Sequence, residues 1–332
     1  QCRSAASTRG RRHFCVLAIF EERCRSEFGS ICGPHRKSRG RSGLALDRDR
    51  RRPFRSGRYL EPASVHRHNP RLQANNFDLL RLLFAGTVCL VHVQTLSGFS
   101  QLDVVTRILS AAVAVKAFFV VSGFLIFMSF ERSSSLSTYA RKRIRRIYPA
   151  YFTVVMLCAL CLVTVSSAGI TEYFSVAWAK YVVANLLFLN FLQPTLPGVF
   201  ATHHIPEVNG ALWTLKIEVM FYLMVPLFVL LFRRFSRLPV LLLIYSLSVA
   251  YVVLLTDVAR RTGSAVYLEL ARQLPGQLSY FMAGAFFYYF LPLFERRTAS
   301  FVTVAALILV ANTIYPLPFL EPMALATVVV LF

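Results

Sequence analysis

From Phe77 onward the chain is a succession of apolar runs, most of them long enough to be considered as membrane spans. Short polar or basic segments separate the runs. They cover residues 79–96, 108–130, 150–165, 212–232, 238–256, 278–294, 301–314 and 323–332. Only helices and closed barrels can cross a bilayer, and runs of this length are typical of helices. The pattern therefore predicts an all-α polytopic membrane protein, a bundle of about eight spans.

The overall composition agrees with that class. Hydrophobic residues make up 56% of the 332 residues and charged residues 16%, whereas soluble domains average about 45–50% and 25%. These values exclude a soluble enzyme, a disordered chain, a collagen and a disulfide scaffold.

Metal ligation is not indicated by the sequence. Cys158 and Cys161 lie together inside an apolar run, where cysteine behaves as a small hydrophobic residue. His203, His204 and Glu207 lie close in sequence, but adjacent histidines seldom reach one ion together. We therefore expect no metal site.

The first 76 residues differ sharply from the rest. They hold 18 of the 37 Lys and Arg residues and 6 of the 16 Asp and Glu residues, a local net charge of +12. They show no sustained period, so we expect a basic, disordered tail. Because the first methionine is Met128, an alternative is that this tail is not native coding sequence. Nucleic acid is not an expected partner, since the other basic residues cluster between apolar runs.

Those clusters predict the orientation in the bilayer. Segments 131–146, 233–237 and 296–297 are rich in arginine and should be cytoplasmic by the positive-inside rule. All three can be cytoplasmic only if the short run 178–192 does not cross, so we expect it to be re-entrant or interfacial. The loop 193–210 then lies outside. Because the last run is cut off at residue 332, we expect a membrane domain, 77–332, that is truncated.

Three ionisable residues at membrane depth are candidate functional groups. Arg81 and His92 are eleven residues apart, roughly 16 Å along one helix. Glu218 shares a helix face with Thr214 and Tyr222 through its four-residue spacing. The plainer alternatives are an interfacial anchor for Arg81 and a buried, hydrogen-bonded imidazole for His92.

Two further segments carry small or basic residues. Ser122 and Gly123 permit two helices to approach closely in a membrane. Arg143 and Arg146 either reflect topology alone or form a cytoplasmic phosphate site, because arginine binds phosphate in a forked geometry. Pro149 fits the first turn of the following helix.

Four motifs in order resemble the membrane-bound acyltransferase-3 family, the O-antigen and exopolysaccharide O-acyltransferases. The likeness extends from about residue 76 to residue 332. The motifs are Arg81-x10-His92, the run 118–126 as FFxxSGFLI, Arg143-x-x-Arg146-Ile-x-Pro149 and Trp213-Thr-Leu-x-x-Glu218-x-x-Phe221-Tyr222. Lys116 departs from the family, whose members often have an acidic or neutral residue there.

The resemblance implies about ten spans and an O-acyltransferase of the bacterial cytoplasmic (inner) membrane. It implies acyl-CoA, usually acetyl-CoA, as co-substrate, no bound cofactor, and a carbohydrate or lipid-linked glycan as external acceptor. It makes His92 the catalytic residue, as a general base or as an acyl carrier.

The resemblance also suggests roles for the other motif residues. Arg81, Arg143 and Arg146 would bind the donor. Glu218 would orient His92 or shape the acceptor pocket. Ser122, Gly123, Trp213 and Tyr222 would belong to the acceptor site or to the structural motif. A lipid-linked sugar flippase and a regulatory membrane protein with a decayed site remain the alternatives.

Overall fold

The computed structural model describes residues 76–97, 99–203 and 205–331. The predicted tail lies outside these residues except for Asn76. Every regular element in the described ranges is a helix, which confirms the all-α prediction. Six helices are long and apolar enough to cross a membrane, so the chain is a multi-pass membrane protein.

We number the α-helices in chain order and leave the short 3₁₀ turns unnumbered. The helices are α1 (Phe77–Ser97), α2 (Asp103–Ile108), α3 (Ala111–Glu131), α4 (Leu136–Cys161), α5 (Ile170–Tyr173), α6 (Val176–Leu186), α7 (Trp213–Phe235), α8 (Arg237–Thr262), α9 (Ala265–Ala271), α10 (Leu274–Phe290), α11 (Thr298–Ile314) and α12 (Glu321–Leu331).

The predicted count of about eight spans is not confirmed, because α10 and α12 are not among the six long apolar helices. Helix α10 has 17 residues and α12 has 11. The run 178–192 gives α6, also of 11 residues. At about 1.5 Å per residue, α6 is roughly 16 Å long, too short for a hydrocarbon core of about 30 Å. Its re-entrant or interfacial placement stays a prediction.

Helix α4 begins earlier than its apolar run. Ser135 caps it by accepting a hydrogen bond from the Thr138 amide at 3.1 Å. The helix then continues through the basic cluster, so Pro149 lies inside it and the prediction of a first-turn proline is wrong. A proline there removes one intrahelical hydrogen bond, which a long helix can tolerate.

Helices α3 and α10 approach each other closely through two glycines. A Cβ atom built on Gly123 would lie 2.1 Å from the Phe281 carbonyl oxygen, and one on Gly284 would lie 2.0 Å from the Val120 oxygen. Only glycine allows this mutual approach of two backbones. The prediction that Gly123 permits close packing is thus confirmed.

Side-chain contacts bring the three basic segments to one end of the bundle. The Tyr289 hydroxyl, near the end of α10, donates to Glu131 at 3.0 Å. The Arg237 guanidinium, at the start of α8, lies 4.8 Å from the centre of the same ring. One aromatic side chain near the third segment therefore touches the first and the second, which agrees with their predicted placement on one side of the membrane.

At the opposite end of α4, a small apolar cluster encloses buried tyrosines. The Tyr173 hydroxyl, in α5, donates to the Ala159 carbonyl at 3.0 Å, and Tyr181 is also fully buried. Burial raises the pKa of Tyr173 to about 12. The hydroxyl therefore keeps its proton, and this hydrogen bond, at physiological pH.

The orientation can be tested by cysteine labelling. In a cysteine-free background, we expect a membrane-impermeant thiol reagent to label Thr202→Cys in intact cells, and not Ser134→Cys or Ser236→Cys. All three positions are exposed, so accessibility alone does not distinguish them. Labelling of Ser236→Cys without Thr202→Cys would mean that the segment containing α6 crosses the bilayer.

Candidate active site

Arg81 extends from the second turn of α1 toward α7. Its Nη2 atom lies 4.0 Å from Glu218 Oε1, and the two side chains are only 17% and 19% exposed. Arg81 Nη1 is buried and has no hydrogen-bond partner among the described residues. An unpaired guanidinium donor at this depth is costly unless a ligand satisfies it.

Glu218 is the centre of a hydrogen-bonded group. Its Oε1 accepts from the Ser122 hydroxyl of α3 at 3.2 Å and from the Tyr222 hydroxyl, one turn later on α7, at 2.5 Å. The predicted common face of Glu218 and Tyr222 is confirmed by this contact. Thr214 donates instead to the Ala211 carbonyl at 3.0 Å. Ser122 therefore contacts the carboxylate directly.

Arg143 reaches the same group from α4. Its Nη2 donates to the Ser129 hydroxyl at 2.9 Å, and its guanidinium carbon lies 5.5 Å from the centre of the Tyr222 ring. Arg143 Nε is buried without a partner in the described residues. The group thus contains two guanidinium ions and one carboxylate, so it carries excess positive charge.

Arg146 and Trp213 are placed differently from the other motif residues. Arg146 is exposed, one turn after Arg143 on α4. Trp213 begins α7, and its ring lies edge-on to Phe119 of α3 at 6.5 Å between centres. Phe119 is fully buried, which makes Trp213 a packing residue where α7 meets α3.

His92 is not part of the Glu218 group. It lies three turns beyond Arg81 on α1, half-buried, and its Nδ1 lies 2.7 Å from the Val88 carbonyl oxygen. A carbonyl can only accept, so Nδ1–H donates this bond, and in the neutral tautomer that fits it Nε2 keeps its lone pair. No hydrogen bond in the described ranges joins His92 to Glu218.

The four sequence motifs therefore form two regions on a shared scaffold. One region gathers Arg81, Ser122, Arg143, Glu218 and Tyr222 and can hold an anion. The other is a single imidazole with an available nitrogen, roughly 16 Å farther along α1. This arrangement suits a long substrate with an anionic part and a distant reacting atom.

A family model described as "Acyltransferase domain" matches residues 75–331 of this chain. The chain belongs to this family. The acyltransferase match covers the two regions and every described helix.

Three curated relatives show weaker, partial similarity. Nodulation protein 10 of Rhizobium leguminosarum bv. viciae is 31% identical over 54% of this chain and 49% of its own length. The O-acetyl transferase of Shigella phage Sf6 is 29% identical over 52% and 51%. Acyltransferase MdmB of Streptomyces mycarofaciens is 27% identical over 48% and 40%. The chain spans about half the length of these relatives, and no solved structure matches it.

Sequence reasoning missed two residues that hold Arg143 in this family member. Tyr139 donates its hydroxyl to the Tyr222 carbonyl at 3.1 Å, and Arg143 lies 5.9 Å from its ring centre. The sequence also did not predict Ser129, the hydrogen-bond partner of Arg143. The four-residue spacing of Tyr139 and Arg143 on one helix was a usable signal. The sequence gives no such signal for Ser129, because its contact with Arg143 joins two different helices.

Lys116, the departure from the family pattern, has a partner of its own. Its ammonium lies 2.5 Å from Glu321 Oε1 of α12 and 5.4 Å from the centre of the Tyr280 ring. The ion pair and the ring contact together connect α3, α12 and α10.

In residues 76–97, 99–203 and 205–331, no three His, Cys, Asp or Glu side chains could hold a metal ion together. His204 lies outside these ranges, so the sequence expectation about the His203–Glu207 segment remains an expectation.

Proposed function

We propose that this protein transfers an acyl group, in the simplest case acetyl, from acyl-CoA to a hydroxyl group of an extracytoplasmic sugar or cell-surface polysaccharide. One observation supports this most directly. Arg81 and Arg143 each have a buried, unpartnered guanidinium donor beside the same Glu218–Tyr222 pair. Family membership and the printed names of the relatives, an O-acetyl transferase among them, support the reaction class.

The donor's phosphates would occupy the cationic region. Guanidinium groups bind phosphate oxygens through charge-assisted, often paired hydrogen bonds. Arg81 and Arg143 would each supply a donor atom that no described protein group uses. Arg146, exposed one turn along α4, would contribute from the basic end of the bundle.

His92 would then act at the thioester. The acceptor hydroxyl oxygen attacks the thioester carbonyl carbon while His92 Nε2 takes the hydroxyl proton, a general-base role. The carbon–sulfur bond breaks, and the leaving coenzyme A thiolate takes the proton from the His92 imidazolium, which restores the neutral base. The hydrogen bond from Nδ1 to Val88 leaves Nε2 as the nitrogen that accepts the proton. A transient acyl-His92 is the alternative route through the same nitrogen.

Glu218 is best assigned as a positioning residue for Arg81. Its carboxylate faces the Arg81 guanidinium and is fixed by Ser122 and Tyr222. A carboxylate held by two hydroxyl donors keeps one orientation, and so it orients the arginine beside it. In this assignment Glu218 acts on the donor site and not on His92.

The acceptor and the membrane follow from the proposed orientation. With the basic segments in the cytoplasm, Arg81 lies in the cytoplasmic half and His92 toward the outer face. A carbohydrate or lipid-linked glycan would approach His92 from outside the bacterial inner membrane, and acyl-CoA from inside. The reacting groups would meet within the bilayer.

Arg81 variants test the donor assignment. We expect Arg81→Ala to raise the KM for acetyl-CoA by roughly ten- to a hundredfold, because a charge-assisted hydrogen bond contributes about 1.5–3 kcal/mol. Arg81→Lys should recover only part of the loss, since an ammonium lacks the forked geometry. The measurement is steady-state turnover of acetyl-CoA by the purified full-length protein.

Exposed Arg260, at the far end of α8, provides a matched control, and Arg260→Ala should leave the KM unchanged. An Arg81→Ala variant with normal donor affinity but reduced kcat would place the donor phosphates elsewhere, at Arg143 and Arg146. Absence of any acetyl-CoA turnover by the unmodified protein would favour a flippase instead.

A further inference from the structure

The face of α1 between Arg81 and His92 has an unusual make-up. Eleven residues along an α-helix return to within about 20° of the starting direction, so both side chains lie on one face. The positions between them on that face are 85 and 88, occupied by Ala85 and Val88. Two large side chains of this segment, Leu83 and Leu90, lie on the opposite face and are exposed.

The same face is accessible along its length, and an aromatic pair borders it on one side. Ala85 is exposed and Val88 is half-buried, so the described residues do not fill the space above them. Phe84, a step around the helix, packs edge-on against Phe118 of α3 at 5.5 Å between ring centres. We call this strip of α1, with Ala85 and Val88 as its floor and the Phe84–Phe118 pair beside it, the α1 groove.

Each end of this groove carries a polar group that a ligand could bind. At one end Arg81 Nη1 is buried without a hydrogen-bond partner in the described chain. At the other, His92 uses only Nδ1, in its bond to the Val88 carbonyl. The separation of roughly 16 Å is bridged by apolar surface alone. A ligand for this face needs an anionic end, a slender uncharged middle and a reactive far end.

We propose that the α1 groove, with Ala85 and Val88 as its floor, holds the pantetheine arm of the acyl-CoA donor. This inference rests on the proposed function and adds the residues that set the width of the donor path. The arm is unbranched over most of its length and uncharged, and its extended form can reach from Arg81 to His92. Ala85 is the specificity-determining position, because a larger side chain there would occupy the path without touching either end.

Two donors of different length test the groove. Acetyl-CoA must run along α1, whereas S-acetyl-N-acetylcysteamine carries the same thioester on a short stem that need not pass Ala85. We expect Ala85→Leu to raise the KM for acetyl-CoA by about tenfold or more, through steric exclusion. Turnover of the short thioester should stay as in the unmodified protein.

Gly86→Leu is the matched control. It adds a larger group one residue away, on the other side of α1, where a built Cβ meets nothing within 4 Å. It should affect neither donor. Equal loss with both donors in Ala85→Leu, or no loss with acetyl-CoA, would overturn the groove alone. Failure of the unmodified protein to turn over either thioester would overturn the proposed function, and the groove with it.

Discussion

His92→Ala should abolish acetyl transfer while leaving acetyl-CoA binding largely intact. The substitution removes the nitrogen that accepts the hydroxyl proton, or that carries the acyl group, and a positioned base typically contributes about 10²–10⁴ in rate. The donor phosphates would still be held roughly 16 Å away at Arg81, on which His92 has no direct effect. Binding of radiolabelled acetyl-CoA and single-turnover transfer, measured on the same preparation, separate the two quantities.

Thr95→Ala is the control for this variant. Thr95, one turn after Val91, makes the same type of bond to the carbonyl four residues earlier, at 2.9 Å, but its side chain has no proposed chemical role. It should retain turnover. Near-normal turnover by well-expressed His92→Ala would remove His92 from the mechanism, and parallel loss of donor binding would make it a structural residue.

Gly123→Leu should prevent α3 and α10 from packing. Even the Cβ atom of this side chain would lie 2.1 Å from the Phe281 carbonyl oxygen, a backbone atom that cannot move without displacing α10. Overpacking a well-packed core usually costs about 1–3 kcal/mol, and a clash with backbone is at the severe end. We expect little monodisperse protein in detergent, and for the milder Gly123→Ala a lower unfolding midpoint.

The same substitution at Gly86 provides the comparison. Gly86→Ala, on α1, meets open space and should be neutral or slightly stabilising, because alanine favours helix over glycine by about 1 kcal/mol. Gly284→Ala, on the partner side of the contact, should behave like Gly123→Ala. Normal unfolding midpoints for both Gly123→Ala and Gly284→Ala would contradict the backbone contact described above.

Hydropathy could predict the helical class and most of the long helices, since a lipid-facing helix must be apolar over many consecutive residues. Hydropathy failed for helices that do not face lipid along a long apolar stretch. The start of α4 is basic, so an apolar window begins 14 residues too late, although the Ser135 cap was readable in the sequence. Helix α10 has eleven buried positions among its 17 residues, so it packs as a core element, and it is not among the six long apolar helices.

The candidate site, too, could be predicted only in part from the sequence. The contact of Glu218 with Tyr222 could be predicted, because both lie on one helix at a fixed spacing. The motifs resembled a family, but resemblance alone does not say that Ser122 and Arg81 meet at the Glu218 carboxylate. Those contacts join different helices, and their geometry depends on packing such as that of Gly123. The separation of His92 from Glu218 was equally beyond reach of one-dimensional spacing.

The ion pair between Lys116 and Glu321 has a consequence for how the protein is made. The partners are 205 positions apart, so at about 5–20 residues per second a ribosome needs roughly 10–40 s to reach the second after the first. During that interval Glu321 cannot neutralise the ammonium, and a charge at this position is best solvated near the bilayer surface. The Lys116–Glu321 pair therefore forms late in biogenesis, after α12 has left the ribosome.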